Sequence, residues 1–275
     1  MNGPFKAGFK HLIPVLASLI IGVFCTFLIL TSPMEIYGVT PFPEGVGSLG
    51  NALYFVTLVG VGASLLYLLL KRNSPKLITF IICVAFTTAV FMLTTIYLLA
   101  ALARFNIPYT ETLVLIISPF LTLFADFAVF RNYSKRAYDI VILCFAGALG
   151  AFLGFSIPTL SAMLILIFLA LYDIFAVYHG PVGKIAQRGL ENLRGLSLTF
   201  KDVQMGLGDL TFYSMLSGNT LFNFGPLPCL GSIIGILFGC MLSFKILERM
   251  EMFPGMPLPV FFGLTLSLFP TLFAS

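Results

Sequence analysis

Apolar residues fill this chain in blocks of about 20, separated by short stretches rich in Pro, Asn and charge. Blocks of that length without period-two alternation match helices that cross a bilayer, and not the strands of a closed barrel. Nine spans can be marked, at approximately 12–31, 49–70, 77–103, 112–130, 139–155, 160–179, 205–223, 227–247 and 257–274. Their punctuation is Pro33, Pro41 and Pro43, then Arg72-Asn73-Ser74-Pro75, Asn106-Ile107-Pro108 and Phe253-Pro254-Gly255. The seventh and ninth spans carry the weakest signal. Asn219 and Asn223 make one polar towards its end, and the other begins among prolines. The pattern predicts an all-α polytopic transmembrane bundle forming a single domain over 1–275. Within it, N-terminal spans cover about 12–155, a central pair about 160–223 and C-terminal spans about 227–274.

Composition agrees. The chain is 59% hydrophobic and 9% charged, against roughly a quarter charged in a soluble domain. In hydrocarbon every backbone polar group needs an internal partner, which a helix supplies within itself. No soluble domain is left over, and nothing resembles a nucleic-acid-binding module. Cys25, Cys83, Cys144, Cys229 and Cys240 all lie in apolar runs without a C-x-x-C pair and read as small packing residues. The first apolar run is full length, lacks a small-residue cleavage site and reads as a retained span.

Charge adds an orientation. Alternate connectors hold Lys6, Lys10; Lys71, Arg72, Lys76; Arg131, Lys135, Arg136; Lys184, Arg188, Arg194, Lys201; and Lys245, Arg249. Only Arg104, among 15 basic residues, falls on the other side, with Glu35, Glu44 and Glu111. The positive-inside rule then predicts a cytoplasmic N-terminus and an outer C-terminus. In the cytoplasmic connector at about 180–204, Ile185, Leu190 and Leu193 among Lys184, Arg188 and Arg194 fit an interfacial amphipathic helix or an irregular basic loop.

Aspartates inside the spans change the picture most, because one at a helix centre costs about 2.5–3.5 kcal/mol on insertion scales. Asp202 lies in a polar connector, and Asp139 at a span start where a helix N-terminus favours it. Asp126 stands about a turn before Arg131, which suggests a local ion pair, a snorkelling carboxylate or a supporting role in a polar cavity. Asp173 and Asp209 are different. Asp173 precedes Lys184 by about 11 residues and Asp209 follows Lys201 by 8, roughly 16 and 12 Å of helix. The two carboxyls are expected at similar depth on consecutive antiparallel helices. Two such groups in contact cannot both ionise cheaply, so they share a proton. That is the arrangement with which an aspartic protease activates water, but a hydrogen-bonded pair or a proton relay would use the same residues.

The flanking residues narrow this. Leu171-Tyr172-Asp173-Ile174-Phe175-Ala176-Val177 is followed by Gly180-Pro181, and Gly206-Leu207-Gly208-Asp209 by Phe212-Tyr213-Ser214. These resemble the YD and GxGD motifs of the presenilin and signal-peptide-peptidase family of intramembrane aspartyl proteases. The residues after each motif, and the cytoplasmic N-terminus expected from charge, are more similar to the presenilin branch, as in a microbial homologue. A third family element, Pro-Ala-Leu before the last span, has its counterpart in Met256-Pro257-Leu258-Pro259, where Met256 and Pro257 replace the first two residues.

The resemblance implies catalytic Asp173 and Asp209 in the central spans. Tyr172, Gly206, Leu207, Gly208, Pro257, Leu258 and Pro259 would support the site or bind substrate. It implies hydrolysis of single-span membrane proteins or signal-peptide remnants in a microbial cell membrane, with no cofactor or metal. Partners would be transmembrane substrates and the lipid bilayer, not nucleic acid, and a homo-oligomer stays open. The prolines are expected to keep 256–259 non-helical beside the pair, or merely to break the chain where the last span starts. Gly206 and Gly208 leave room for a backbone beside Asp209, and Tyr172 donates to the site or anchors its span. There is no His-Glu-x-x-His, and His11 and His179 sit at span ends as interfacial side chains. The competing class is a proton-coupled transporter or channel that uses Asp126, Asp173 and Asp209 as a relay.

Overall fold

A computed structural model of the chain describes residues 7–35, 38–72, 74–108, 110–131, 134–178, 195–200, 203–250 and 252–273. A 3-10 turn, Phe9–Leu12, leads into α1 (Ile13–Leu30), followed by α2 (Ser48–Lys71), α3 (Pro75–Arg104), α4 (Thr110–Phe130), α5 (Lys135–Ser156) and α6 (Thr159–Tyr178). Strands β1 (Ser197–Phe200) and β2 (Val203–Gly206) form an antiparallel hairpin. The chain then continues through α7 (Leu207–Phe224), α8 (Pro226–Leu247) and α9 (Pro257–Phe273). Each expected span is met by one helix. Among the described residues, seven helices are long and apolar enough to cross a membrane, and the protein is an integral membrane protein. Large apolar side chains such as Leu115 and Phe120, 77% and 71% exposed, mark a surface made for lipid.

The hairpin is the main departure from the expected all-helical bundle. Its residues alternate: Leu198 is buried between half-exposed Ser197 and exposed Thr199, and Val203 and Met205 are buried on either side of exposed Gln204. That period of two suits a half-buried strand. The segment expected as an amphipathic helix or loop over 185–194 lies outside the described residues.

The last helix also differs. Pro257, Leu258 and Pro259 form the first turn of α9 and not a non-helical stretch, with Val260 N–H donating to the Met256 carbonyl at 3.0 Å. Amides in a first turn have no intrahelical acceptor, so prolines there forfeit nothing. The irregular backbone is instead 252–256.

Helix α7 lies at the centre, packed on α1, α5 and α8 and touching α6 and α9. This explains its weak hydropathy, because its polar side chains meet protein and not lipid. Ser214 Oγ donates to the Ser18 carbonyl at 3.1 Å, and Asn219 Nδ2 donates to the Gly154 and Ile157 carbonyls at 2.8 and 3.2 Å. Thr220 Oγ1 lies 3.2 Å from Ser232 Oγ of α8. Gly225, at φ +89°, makes a turn that a side chain would strain, and Pro226 starts α8 immediately after it.

Helices approach here backbone to backbone. A Cβ added at Gly150 would stand 2.3 Å from the Thr211 carbonyl oxygen, and one at Gly154 would stand 2.7 Å from that of Met215, so α5 and α7 touch through glycine. Gly231, Gly235 and Gly239 do the same for α8 against Leu266, Phe262 and Leu258-Pro259 of α9. In lipid, where apolar burial drives little association, such small-residue seams hold helices together. Gly235→Ala would place its Cβ 2.2 Å from the Phe262 carbonyl oxygen, and overpacking of this kind costs about 1–3 kcal/mol. We expect a lower unfolding midpoint in detergent for Gly235→Ala and none for Gly62→Ala, whose Cβ meets nothing within 4 Å. Equal midpoints would refute the seam.

Candidate active site

Asp173 and Asp209 reach the site by different routes. Asp173 lies near the C-terminal end of α6, a helix held by α2 on one side and α9 on another. Asp209 is the third residue of α7, in its first turn. The expectation of eight helical residues between Lys201 and Asp209 is therefore corrected: residues 203–206 are strand, and helix begins at Leu207. Extended backbone rises faster than helix, so residue count overstates the helical share of that depth and understates the reach. Asp209 reaches back towards the Gly206 amide at the N-cap, as an acidic residue at this position of a helix does.

The two carboxyls lie within each other's electrostatic reach and meet over one short piece of chain. Asp173 Oδ2 accepts the Met256 N–H at 3.0 Å. A Cβ built on Gly255 would stand 2.6 Å from Asp209 Oδ2, so a side chain here would force the chain or the carboxyl to shift. The Tyr213 hydroxyl, one turn beyond Asp209, donates to the Gly255 carbonyl at 2.8 Å. A cavity of about 100 Å³ opens beside Asp209, lined among others by Gln204, Tyr213, Cys240, Ser243 and Gly255.

The hairpin sets where α7 starts. Ser197 pairs with Gly206, and Leu207 N–H donates to the Leu196 carbonyl at 2.9 Å. Tyr138, in the first turn of α5, pins the same segment from outside. Its hydroxyl donates to the Ser197 carbonyl at 2.7 Å and accepts the Gly195 N–H at 3.1 Å.

The other expected site residues divide. Gly206, Leu207 and Gly208 carry Asp209: a Cβ at Gly206 would lie 3.6 Å from the carboxyl, one at Gly208 would make only ordinary contact with Phe212, and Leu207 faces Phe86 and Phe145 in an apolar groove. Tyr172 lays its ring and hydroxyl end on Gly60 of α2, which fits the anchoring role. Leu258 and Pro259 pack on Gly239, and Pro257 lines an apolar groove of about 440 Å³ between α6 and α9 with Leu171 and Ile174. Asp126 is not with the pair. It stands in the α3–α4 contact, where its Oδ2 accepts from Thr87 Oγ1 at 2.8 Å. His11 is buried against Phe244 rather than interfacial, and His179 lies outside the described residues.

Gly255, the Met256 amide and the Tyr138 clamp have no counterpart in the expected site. Gly255 had a signal, since Pro254-Gly255 breaks the chain just before α9. The Met256 amide had none, because a backbone donor is the same in every residue but proline. Among the described residues no group of three His, Cys, Asp or Glu could hold a metal. Removing the Tyr138 hydroxyl deletes two hydrogen bonds, each worth about 1 kcal/mol net. We expect Tyr138→Phe to speed amide exchange over 196–207 roughly ten-fold while exchange in the middle of α7 holds. Unchanged exchange at Leu207 would show that the clamp does not support the hairpin.

No family model matches the sequence, and no curated protein matches it. Solved structures do. A structure of a presenilin family intramembrane aspartate protease in space group C222 is 18% identical, with a TM-score of 0.69 over 95% of this chain and 97% of that one. A second, in space group P2, is 19% identical, with a TM-score of 0.68 over 97% and 98%. The chain thus has, over nearly its whole length, the fold of presenilin family intramembrane aspartate proteases.

Proposed function

We propose that this protein is an intramembrane aspartyl endopeptidase that hydrolyses peptide bonds of single-span membrane proteins or signal-peptide remnants, with Asp173 and Asp209 as its catalytic pair. One observation carries the reading: carboxyls from two helices converge on the same Gly255-Met256 backbone beside a small cavity. The shared fold and the motifs around both aspartates support it. One ionised and one protonated carboxyl is the working state. The carboxylate takes a proton from a water while the acid donates to the substrate carbonyl, and the tetrahedral adduct collapses as its nitrogen receives a proton. The cavity of about 100 Å³ beside Asp209 has room for water.

A substrate helix must enter from lipid and unwind. The apolar groove between α6 and α9 reaches Pro257 and the residues flanking Asp173, which supports entry along that face. Strand β2 is paired on one edge by β1, and its other edge, just before the Asp209 turn, suits an extended substrate backbone. The charge pattern supports a cytoplasmic N-terminus, which puts the pair towards the cytoplasmic side, and the resemblance supports a microbial cell membrane. A three-aspartate proton relay is disfavoured because Asp126 is bonded to Thr87 across the α3–α4 contact, away from the pair.

Asp173→Asn and Asp209→Asn each remove one ionisable carboxyl while keeping its shape. We expect either variant to fold and to lose cleavage of a single-span peptide by at least about 10³-fold, since the two groups act as a unit. Substantial cleavage by either purified variant would overturn the assignment, and flux that follows a pH gradient without proteolysis would favour a carrier.

A further inference from the structure

The Gly255–Met256 peptide unit is held at both of its polar atoms. Its N–H donates to Asp173 Oδ2 at 3.0 Å, and its carbonyl accepts from the buried Tyr213 hydroxyl at 2.8 Å. The Gly255 Cα lies against the second carboxyl, closely enough that a Cβ would stand 2.6 Å from Asp209 Oδ2. A single peptide of the protein therefore touches both aspartates, and the cavity of about 100 Å³ lies to one side of it, beside Asp209. A substrate peptide needs the same carboxyl oxygens.

We propose that the Gly255–Met256 peptide is an internal occupant of the aspartate pair, a pseudosubstrate contact that a cleavable segment must displace. This rests on the protease reading above. Three features of the chain make the contact. Position 256 is Met where the resembling motif begins with Pro, so it has an N–H to give. Position 255 is Gly, so the backbone can lie on Asp209. Tyr213 is placed by the same turn that presents Asp209. Only molecules whose own peptide has swung away accept substrate, so apparent affinity is reduced by the fraction that is open.

The test uses the full chain in detergent or nanodiscs. Met256→Pro deletes the N–H at the residue before Pro257, a position that a following proline biases towards the extended backbone that a proline also adopts. Loss of this hydrogen bond should lower the KM for a fluorogenic single-span peptide roughly five-fold. The inhibition constant of a hydroxyl-bearing transition-state analogue should fall in parallel. An equal or higher KM in a folded Met256→Pro protein overturns the proposal.

A second readout does not need turnover. A hydrophobic carbodiimide labels accessible membrane carboxyls, and labelling of Asp173 is read by mass spectrometry. It should be slow in the wild type and in Met256→Ala, which keeps the amide, and faster in Met256→Pro. Should Met256→Pro fail to fold, Gly255→Ala takes its place, because its Cβ and the Asp209 carboxyl cannot both keep their present positions. Equal labelling in all folded variants overturns the occupancy. If the wild type cleaves nothing, the protease reading fails while the labelling still decides whether the pair is covered.

Discussion

The structure depends on helices meeting backbone to backbone without apolar burial to drive them. Lipid is as apolar as a leucine side chain, so contact must come from close packing and from polar groups that lack any other partner. Gly150 and Gly154 of α5 lie on the backbone of α7, and Gly231, Gly235 and Gly239 of α8 lie on α9. The first seam seats the helix that bears Asp209. The second seats the helix whose approach carries Gly255 and Met256. Both halves of the site are thus positioned by contacts in which no side chain intervenes, which leaves little freedom for either.

The polarity of α7 follows from that enclosure. Ser214, Asn219 and Thr220 find carbonyl or hydroxyl partners on α1, α5 and α8, so they serve as interhelical bonds where in lipid they would be a penalty. The same enclosure admits a carboxylic acid in the first turn. At the helix start Asp209 meets the Gly206 amide, and on its other side a glycine backbone. Asp173, on an otherwise apolar helix, has the Met256 amide. Among the described residues, each costly carboxyl is met by backbone and not by a basic side chain.

Much of this was legible along the chain. Nine apolar blocks became nine helices, and the two aspartates in their motifs do come together. The hairpin was hidden because each strand has only four residues, although Ser-Leu-Thr-Phe and Val-Gln-Met do alternate. Pro257 and Pro259 suggested irregular backbone, yet a proline in a first turn is as compatible with helix as with its absence. For Asp126, the neighbour in sequence was Arg131, while the partner in space is Thr87 on another helix.

What the sequence determines alone is the set of membrane segments and their approximate ends, because transfer into lipid sums residue by residue and needs no knowledge of neighbours. It also singles out two aspartates that are costly in apolar helices. What tertiary structure decides is where those carboxyls point and what they touch. The meeting of Asp173, Asp209 and Tyr213 on the Gly255–Met256 peptide joins two helices and a connector up to 83 residues apart. Its key groups are a backbone N–H and a missing Cβ. Neither has a side-chain signature, so only the packing of α6, α7 and α9 brings them into the site.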